Sequence, residues 1–364
     1  MHLSDLDTPA LLIDLDIMER NLLRAAEYAR ANDLRLRPHT KTHKIPALGR
    51  RQLELGAVGL TVAKVGEAEV MLAAEPPDLL VAYPTIGHRK LARLMAVARR
   101  TQVTVALDSL FPARQLSDAA REVRATVGVL AEVDVGLARV GVSPGPELLQ
   151  LVEGVLRLPH LTFEGIAFYP GHIRSLDPEG LRALDRVGEL VRRTLADLRR
   201  AGFETKIVSG GSTPTLYHSL RVIGMNEVRP GTYLFNDRNT AASGACTLAD
   251  CAASILVTVV STARPGQIII DGGSKTFSSD RSIAAPEATF GHLVEAPEAV
   301  FVKMNEEHGY VDIRRSERDF SVGDPLHVIP NHICTAMNLH ETVYGIRGDQ
   351  VEQVWKVEAR GKLQ

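Results

Sequence analysis

Between about residues 16 and 235, short apolar β-branched runs alternate with longer helical patterns, and this alternation restricts the fold more than any other feature. It marks βαβ units and a parallel sheet. Helices are predicted over 17–31, 88–100, 146–156 and 178–201, the last closed by Gly202. Strands are predicted at 34–38, 58–62, 79–82, 103–107, 127–133, 161–168, 206–209 and 227–235. Eight parallel strands with intervening helices is the count that closes a (β/α)8 TIM barrel, with a doubly wound open sheet as the structural rival. Beyond about Ala245 the period changes to two, with runs at 255–260, 267–270, 299–303, 326–329, 343–346 and 354–357. The expected organisation is therefore an α/β barrel over 11–245, followed by an all-β C-terminal domain over 246–364 that also takes residues 1–10. The run Ala10-Leu-Leu-Ile-Asp14 precedes the first helix and is read as adding a strand to the β domain.

The chain of 364 residues carries 42 Lys and Arg against 44 Asp and Glu, a net charge of −2 that gives no basis for nucleic-acid or anionic-membrane partners. A small-molecule partner is expected. Three cysteines, Cys246, Cys251 and Cys334, are too few and too odd in number for a disulfide framework and suit a reducing, cytoplasmic setting. Cys246 and Cys251 read as buried apolar residues. The first residues lack a basic region followed by an apolar run, and there is no uncharged apolar stretch of about 18 residues, so neither export nor a membrane span is expected.

Barrel enzymes carry their chemistry at the C-terminal ends of the strands, and the unusual residues fall there. Strand one leads into Pro38-His39-Thr40-Lys41-Thr42-His43-Lys44, strand five into Asp134 through Arg139 to Gly141, and strand six into Tyr169-Pro-Gly-His172. A solvated loop would explain each of these segments taken alone. Strand seven enters Ser209-Gly210-Gly211-Ser212-Thr213-Pro214, and strand eight reaches Arg229-Pro230-Gly231-Thr232-Tyr233. Glycines and hydroxyls after strands seven and eight match the usual phosphate site of such barrels. An amine at the end of strand one, opposite a phosphate anchor, is what a pyridoxal 5′-phosphate Schiff base requires. In the β domain, His332 and Cys334 are read as i and i+2 of one strand, presenting imidazole and thiolate to the same face. Two such ligands with open positions suit a catalytic divalent metal, zinc being preferred by the soft thiolate and Mn2+ or Mg2+ being alternatives. A buried strand end is the competing reading.

In their order along the chain, Pro-His-Thr-Lys-Thr-His-Lys, Val-Asp-Val-Gly-Leu-Ala-Arg-Val-Gly, Gly-Gly-Ser-Thr-Pro, Arg-Pro-Gly-Thr-Tyr and Asn-His-Ile-Cys resemble the D-serine dehydratase and D-threonine aldolase family. These are fold-type III pyridoxal-phosphate enzymes related to alanine racemase. The resemblance runs from Thr8 to the His332 motif. It implies a dimer with an alanine-racemase-like barrel, and it puts the Schiff base on Lys41 and not on Lys44. It places Arg139 beside the cofactor's phenolic oxygen, Gly211, Ser212, Thr213, Gly231 and Tyr233 around the phosphate, and Ser209 and Thr232 among the other cofactor-binding residues. It places His39 and Tyr169 near the cofactor, Arg229 more loosely at its pyridine nitrogen, and the metal on His332 and Cys334. His172 is an additional base or substrate contact, against the alternative of a surface histidine. Dehydratases of the family tend to carry His-x-Cys and the aldolases His-x-Asp. Cys334 therefore implies loss of water from D-serine or D-threonine, giving keto acid and ammonia. Retro-aldol cleavage is the alternative, and a non-catalytic pyridoxal-phosphate carrier or a racemase is the third reading. Glu306-Glu307-His308-Gly309 and Asp271-Gly-Gly-Ser-Lys275 are secondary candidates.

Overall fold

A computed structural model describes residues 1–283 and 289–364. Two compact units emerge, one formed by residues 23–231 with 361–364 and the other by residues 1–22 with 232–360.

The first unit is the barrel. Its strands, numbered one to eight, are Arg35–Leu36, Leu60–Val62, Asp78–Val81, Gln102–Leu107, Val127–Glu132, Leu161–Ala167, Ile207–Gly210 and Glu227–Val228. Each pairs in parallel with its neighbour, and strand eight returns to strand one. The remaining seam, between strands one and two, is joined by Thr40 N–H to Thr61 O at 2.8 Å and Thr61 N–H to Pro38 O at 2.7 Å. These bonds complete the ring and exclude the open-sheet rival. Leu80, Ala106, Leu130, Ala167 and Ile207, one from each of strands three to seven, pack into a single apolar cluster. The strand expected at 227–235 is a correction: it stops at Val228, because Pro230 has no N–H to donate and Thr232–Leu234 turn as a 3-10 helix.

The helix Pro178–Arg200 shows why its sequence is helical. Asp177 caps it by accepting from Gly180 N–H at 2.8 Å, and Leu184, Val187, Val191 and Leu198 recur on its buried face. Glu179 and Glu189 pair with Arg182, Arg186, Arg192 and Arg193 on the solvent face, where water screens the pairs. Three barrel helices were not predicted: Pro46–Glu54, Val65–Met71 and Leu110–Val123.

The second unit is built on β structure. The strand Ala10–Asp14 pairs antiparallel with Ala253–Arg264 and parallel with Thr342–Arg347. Those ladders draw residues 11–22 out of the barrel unit, and the segment 232–245 joins the same side, so the division differs from the expected boundaries at 10 and 245. The predicted runs in this unit are strands, and Gly291–Leu293 and Gly309–Asp312 are two more. Among the described residues, no helix is long and apolar enough to cross a membrane.

Candidate functional site

The loop after strand one sorts its cationic and imidazole groups by burial. Lys44 is buried against Glu67, Nζ to Oε1 2.9 Å, and Glu67 also accepts Ala63 N–H at 2.7 Å. That lysine is committed to structure. Lys41 is half-buried, makes no ion pair among the described residues, and holds its Nζ 6.0 Å from the centroid of the Tyr169 ring. The exposed guanidinium of Arg139 lies 5.0 Å from the same ring, so strands one, five and six bring Lys41, Arg139 and Tyr169 together.

His39 lies beneath this group. Its Nδ1 accepts Lys41 N–H at 3.4 Å, and burial, reinforced by Lys41, Arg229 and His43, pushes its pKa well below the ordinary value. His43 is fully buried, with Ile45 N–H donating to Nδ1 at 3.1 Å and Nε2 3.3 Å from Gln52 Oε1. Burial lowers its pKa to about 4. A proton therefore binds the unfolded chain, at about pH 6.5, more readily than the folded one, and stability falls as pH drops from about 6.5 to about 4. The loss attributable to His43 reaches about 3 kcal/mol at the lower end. Denaturant titrations between pH 7 and pH 4 are expected to show a flatter profile for His43→Gln than for wild type; parallel profiles would remove His43 as the cause.

Arg229 occupies the barrel floor. Its guanidinium donates to Ser209 Oγ and, at 3.0 Å, to Phe168 O, while Ser209 Oγ donates to Glu227 Oε1 at 2.6 Å. Glu227 in turn faces Arg37, Oε2 to Nε 3.0 Å, close enough for an ion pair but not aligned as a hydrogen bond, and Arg37 pairs with Asp78 at 2.7 Å. Glu132, at the end of strand five, is also buried, and burial raises its carboxyl pKa against the opposing charges of Arg229 and Arg139. Glu132, Glu227 and Arg37 were not singled out from the sequence. Their signal was a charged residue inside an apolar strand run, a position that only a paired charge tolerates.

After strand seven, Gly211 adopts φ +80°, a conformation side chains resist, and Ser212 N–H donates to Thr215 Oγ1 at 3.1 Å. Gly231 N–H donates to Thr213 Oγ1 at 3.2 Å, and a Cβ at Gly231 would approach within 2.9 Å of Thr42 Oγ1. Three hydroxyls, those of Ser212, Thr213 and the unpredicted Thr215, are thus gathered beside Gly211 and Gly231, the glycine and hydroxyl chemistry of a phosphate cup. Together with Lys41, an amine with no ion pair among the described residues, they fit pyridoxal phosphate. His172 is half-buried, its ring packs against Gly136, and its Nδ1 is buried without a hydrogen-bond partner among the described residues. Asp134 turns the adjoining loop by accepting Gly136 and Ala138 N–H groups at 2.9 and 3.1 Å.

In the β unit, His332 and Cys334 do not lie on a strand. The strand Pro325–Pro330 ends first, His332 is the N-cap of the helix Ile333–Leu339, and Cys334 sits in its first turn. The expected i, i+2 geometry is corrected, because Pro330 ends the ladder and Asn331 turns the chain. The two side chains nevertheless meet. Burial disfavours an imidazolium at His332, but Cys334, Asp237 and Asp280 outweigh it and raise the pKa to about 9. An imidazole and a thiol in this anionic setting fit a divalent cation. Among the described residues, no cluster of three or more His, Cys, Asp or Glu side chains is arranged for a metal. Thr232 Oγ1 is 3.6 Å from Cys334 Sγ, and Tyr233 is buried beside it in sequence. Cys251 is buried as expected, whereas Cys246 is half-buried and within hydrogen-bond reach of Cys251, whose thiol it pushes up in pKa.

Comparison with known proteins shows the family and the fold. The family described as alanine racemase, N-terminal domain, matches residues 13–239, and a putative serine dehydratase domain matches residues 252–346. The chain is similar to a D-threonine aldolase of Arthrobacter sp, 32% identical over 99% of this chain and 94% of the relative. It is similar to a D-threo-3-hydroxyaspartate dehydratase of Delftia sp., 33% identical over 96% of this chain and 97% of the relative. The crystal structure of a D-threonine aldolase from Filomicrobium marinum superposes with a TM-score of 0.93 at 32% identity, covering 100% of this chain and 98% of that one.

Proposed function

Because this chain belongs to the D-serine dehydratase and D-threonine aldolase family of fold-type III pyridoxal-phosphate enzymes, we propose that it is a metal-dependent lyase that removes water from D-β-hydroxy amino acids. D-serine and D-threonine are the substrates proposed, with keto acid and ammonia as products. The observation that carries this reading is the pairing of a thiol, Cys334, with His332. A soft thiolate favours zinc, and the dehydratases of the family tend to carry it where the aldolases carry Asp.

Pyridoxal phosphate, when bound, supplies the electron sink that acidifies the substrate Cα–H. Lys41 and the cup of Gly211, Ser212, Thr213 and Gly231 would hold it, with Ser209 and Arg229 also proposed as cofactor residues, Thr232 and Tyr233 following Gly231 in the chain, and His39 supporting the lysine backbone. In the loaded enzyme Lys41 Nζ would take the Cα proton, with Arg139 set against the same Tyr169 ring. Tyr169 forms the wall between them. A divalent cation on His332 and Cys334, when bound, supplies the Lewis acid that a hydroxide leaving group needs. The Cβ–O bond would break as the Cα electron pair moves into the new double bond, and the departing hydroxide would take the proton held by Lys41 and leave as water. The resulting enamine hydrolyses to keto acid and ammonia. A homodimer acting in the cytoplasm on a free D-amino acid completes the proposal.

The second reading is retro-aldol cleavage to glycine and an aldehyde, and His172 favours it. A buried imidazole nitrogen with no hydrogen-bond partner among the described residues is suited to take the β-hydroxyl proton that this reaction must remove first. Product analysis separates the two: purified protein with pyridoxal phosphate and zinc is expected to convert D-serine and D-threonine, and not their L forms, to keto acid and ammonia. Glycine with acetaldehyde from D-threonine would transfer the assignment to aldolase. Absence of turnover with a metal content near zero would favour a carrier, and interconversion of D and L forms a racemase.

A further inference from the structure

We propose that Asp237 is the positioning residue of the metal pair, fixing the backbone between His332 and Cys334; this rests on the metal-dependent reading above. Asp237 is 2% exposed, and both of its carboxylate oxygens are engaged in different directions. Oδ1 accepts the Thr240 N–H and the Thr240 hydroxyl, each at 2.7 Å, and so caps the short helix Arg238–Ala242. Oδ2 accepts the N–H of Ile333 at 3.1 Å.

Ile333 is the residue between the two ligands, and its N–H is one of those the following helix leaves unsatisfied. One buried carboxylate thus ties segment 237–240 to segment 331–334, and Asn239 N–H to Asn331 O at 3.2 Å adds a second tie between them. The first segment begins five residues after Thr232, whose hydroxyl is 3.6 Å from Cys334 Sγ. With His332 at the cap and Cys334 in the first turn, the torsions on either side of Ile333 set the imidazole-to-thiolate bite. Rotating that peptide away from Asp237 would part the two donors. The carboxylate also adds a negative charge facing His332, which favours a cation between the ligands.

The test is metal binding and not turnover. Asp237→Asn keeps the shape and one acceptor but removes the charge. Its affinity for Zn2+ and for Co2+, measured by competition against a chromogenic chelator, is expected to fall 10- to 100-fold. The thiolate-to-cobalt charge-transfer band at saturating Co2+ is expected to shift or weaken, while pyridoxal-phosphate binding at Lys41 stays at the wild-type level. Wild-type affinity and an unchanged cobalt band in D237N, with or without a lower melting temperature, would overturn the inference and leave Asp237 a helix cap. A wild-type protein that takes up neither metal would overturn the metal reading and this inference together. Uptake abolished by His332→Ala but unaffected by D237N would overturn the inference alone. Thr240→Val, which strips the Oδ1 contacts made by the hydroxyl and leaves the carboxylate in place, carries the same test if D237N does not fold, with a several-fold loss expected.

Discussion

Lys41→Ala is expected to leave a folded protein with turnover reduced at least about 10³-fold, whereas Lys44→Ala, three residues on, is expected to cost stability first. The contrast comes from the partners. Lys44 neutralises Glu67 in a pocket where both side chains are nearly inaccessible, and removing one member of such a pair leaves an uncompensated buried charge at about 3–5 kcal/mol. Lys41 has no ion-pair partner among the described residues to strand, is half-buried, and faces Tyr169. Its removal therefore takes away the covalent anchor and the base without opening the core. Three measurements check this: thermal melts of both variants, the absorbance of lysine-linked pyridoxal, and keto-acid release. Lys41→Ala should melt within a few degrees of wild type and lack the absorbance; Lys44→Ala should melt clearly lower and retain it where it folds. Retained absorbance in Lys41→Ala would reassign the cofactor lysine.

Much of the barrel was legible because its strands are buried on both faces and appear as continuous apolar runs. The runs 103–107 and 127–133 lie within two residues of the strands Gln102–Leu107 and Val127–Glu132. Strand eight was overextended because Tyr233, Leu234 and Phe235 are buried in a 3-10 turn and just after it, and apolar content alone does not separate that from a strand. The helix Leu110–Val123 was missed despite a regular buried face at Ala113, Leu116 and Ala120; its polar residues masked the stripe. At the candidate site, motif residues could be named from their order after each strand, but not their pairing. Nothing local to Glu227 announces that it bridges Ser209, eighteen residues earlier, and Arg37, just past the neighbouring strand one. Likewise, alternation suggested that His332 and Cys334 share a strand face. The structure brings them together by a cap and a helical turn instead, a geometry set by Asp237, nearly a hundred residues away in sequence.

His332→Ala is expected to abolish metal uptake and reduce turnover by about 10²–10⁴-fold, the range that corresponds to a Lewis-acid contribution of several kcal/mol at 1.36 kcal/mol per decade. With a two-residue site among the described residues, loss of either side chain leaves a single protein donor, too little to hold a divalent ion against water and buffer. A chelator should reproduce the loss in wild type, and added zinc should restore it there but not in His332→Ala. Cys334→Asp asks a different question. Carboxylate keeps two donors but exchanges a soft ligand for a hard one, so bound metal should persist while zinc loses preference to Mn2+ or Mg2+. If the thiolate selects water loss, this variant should release more glycine and aldehyde from D-threonine relative to keto acid, with His172 serving as the base for the β-hydroxyl. An unchanged product ratio at full metal occupancy would show that the choice of reaction lies in the barrel loops around Tyr169 and His172 rather than in the metal ligand.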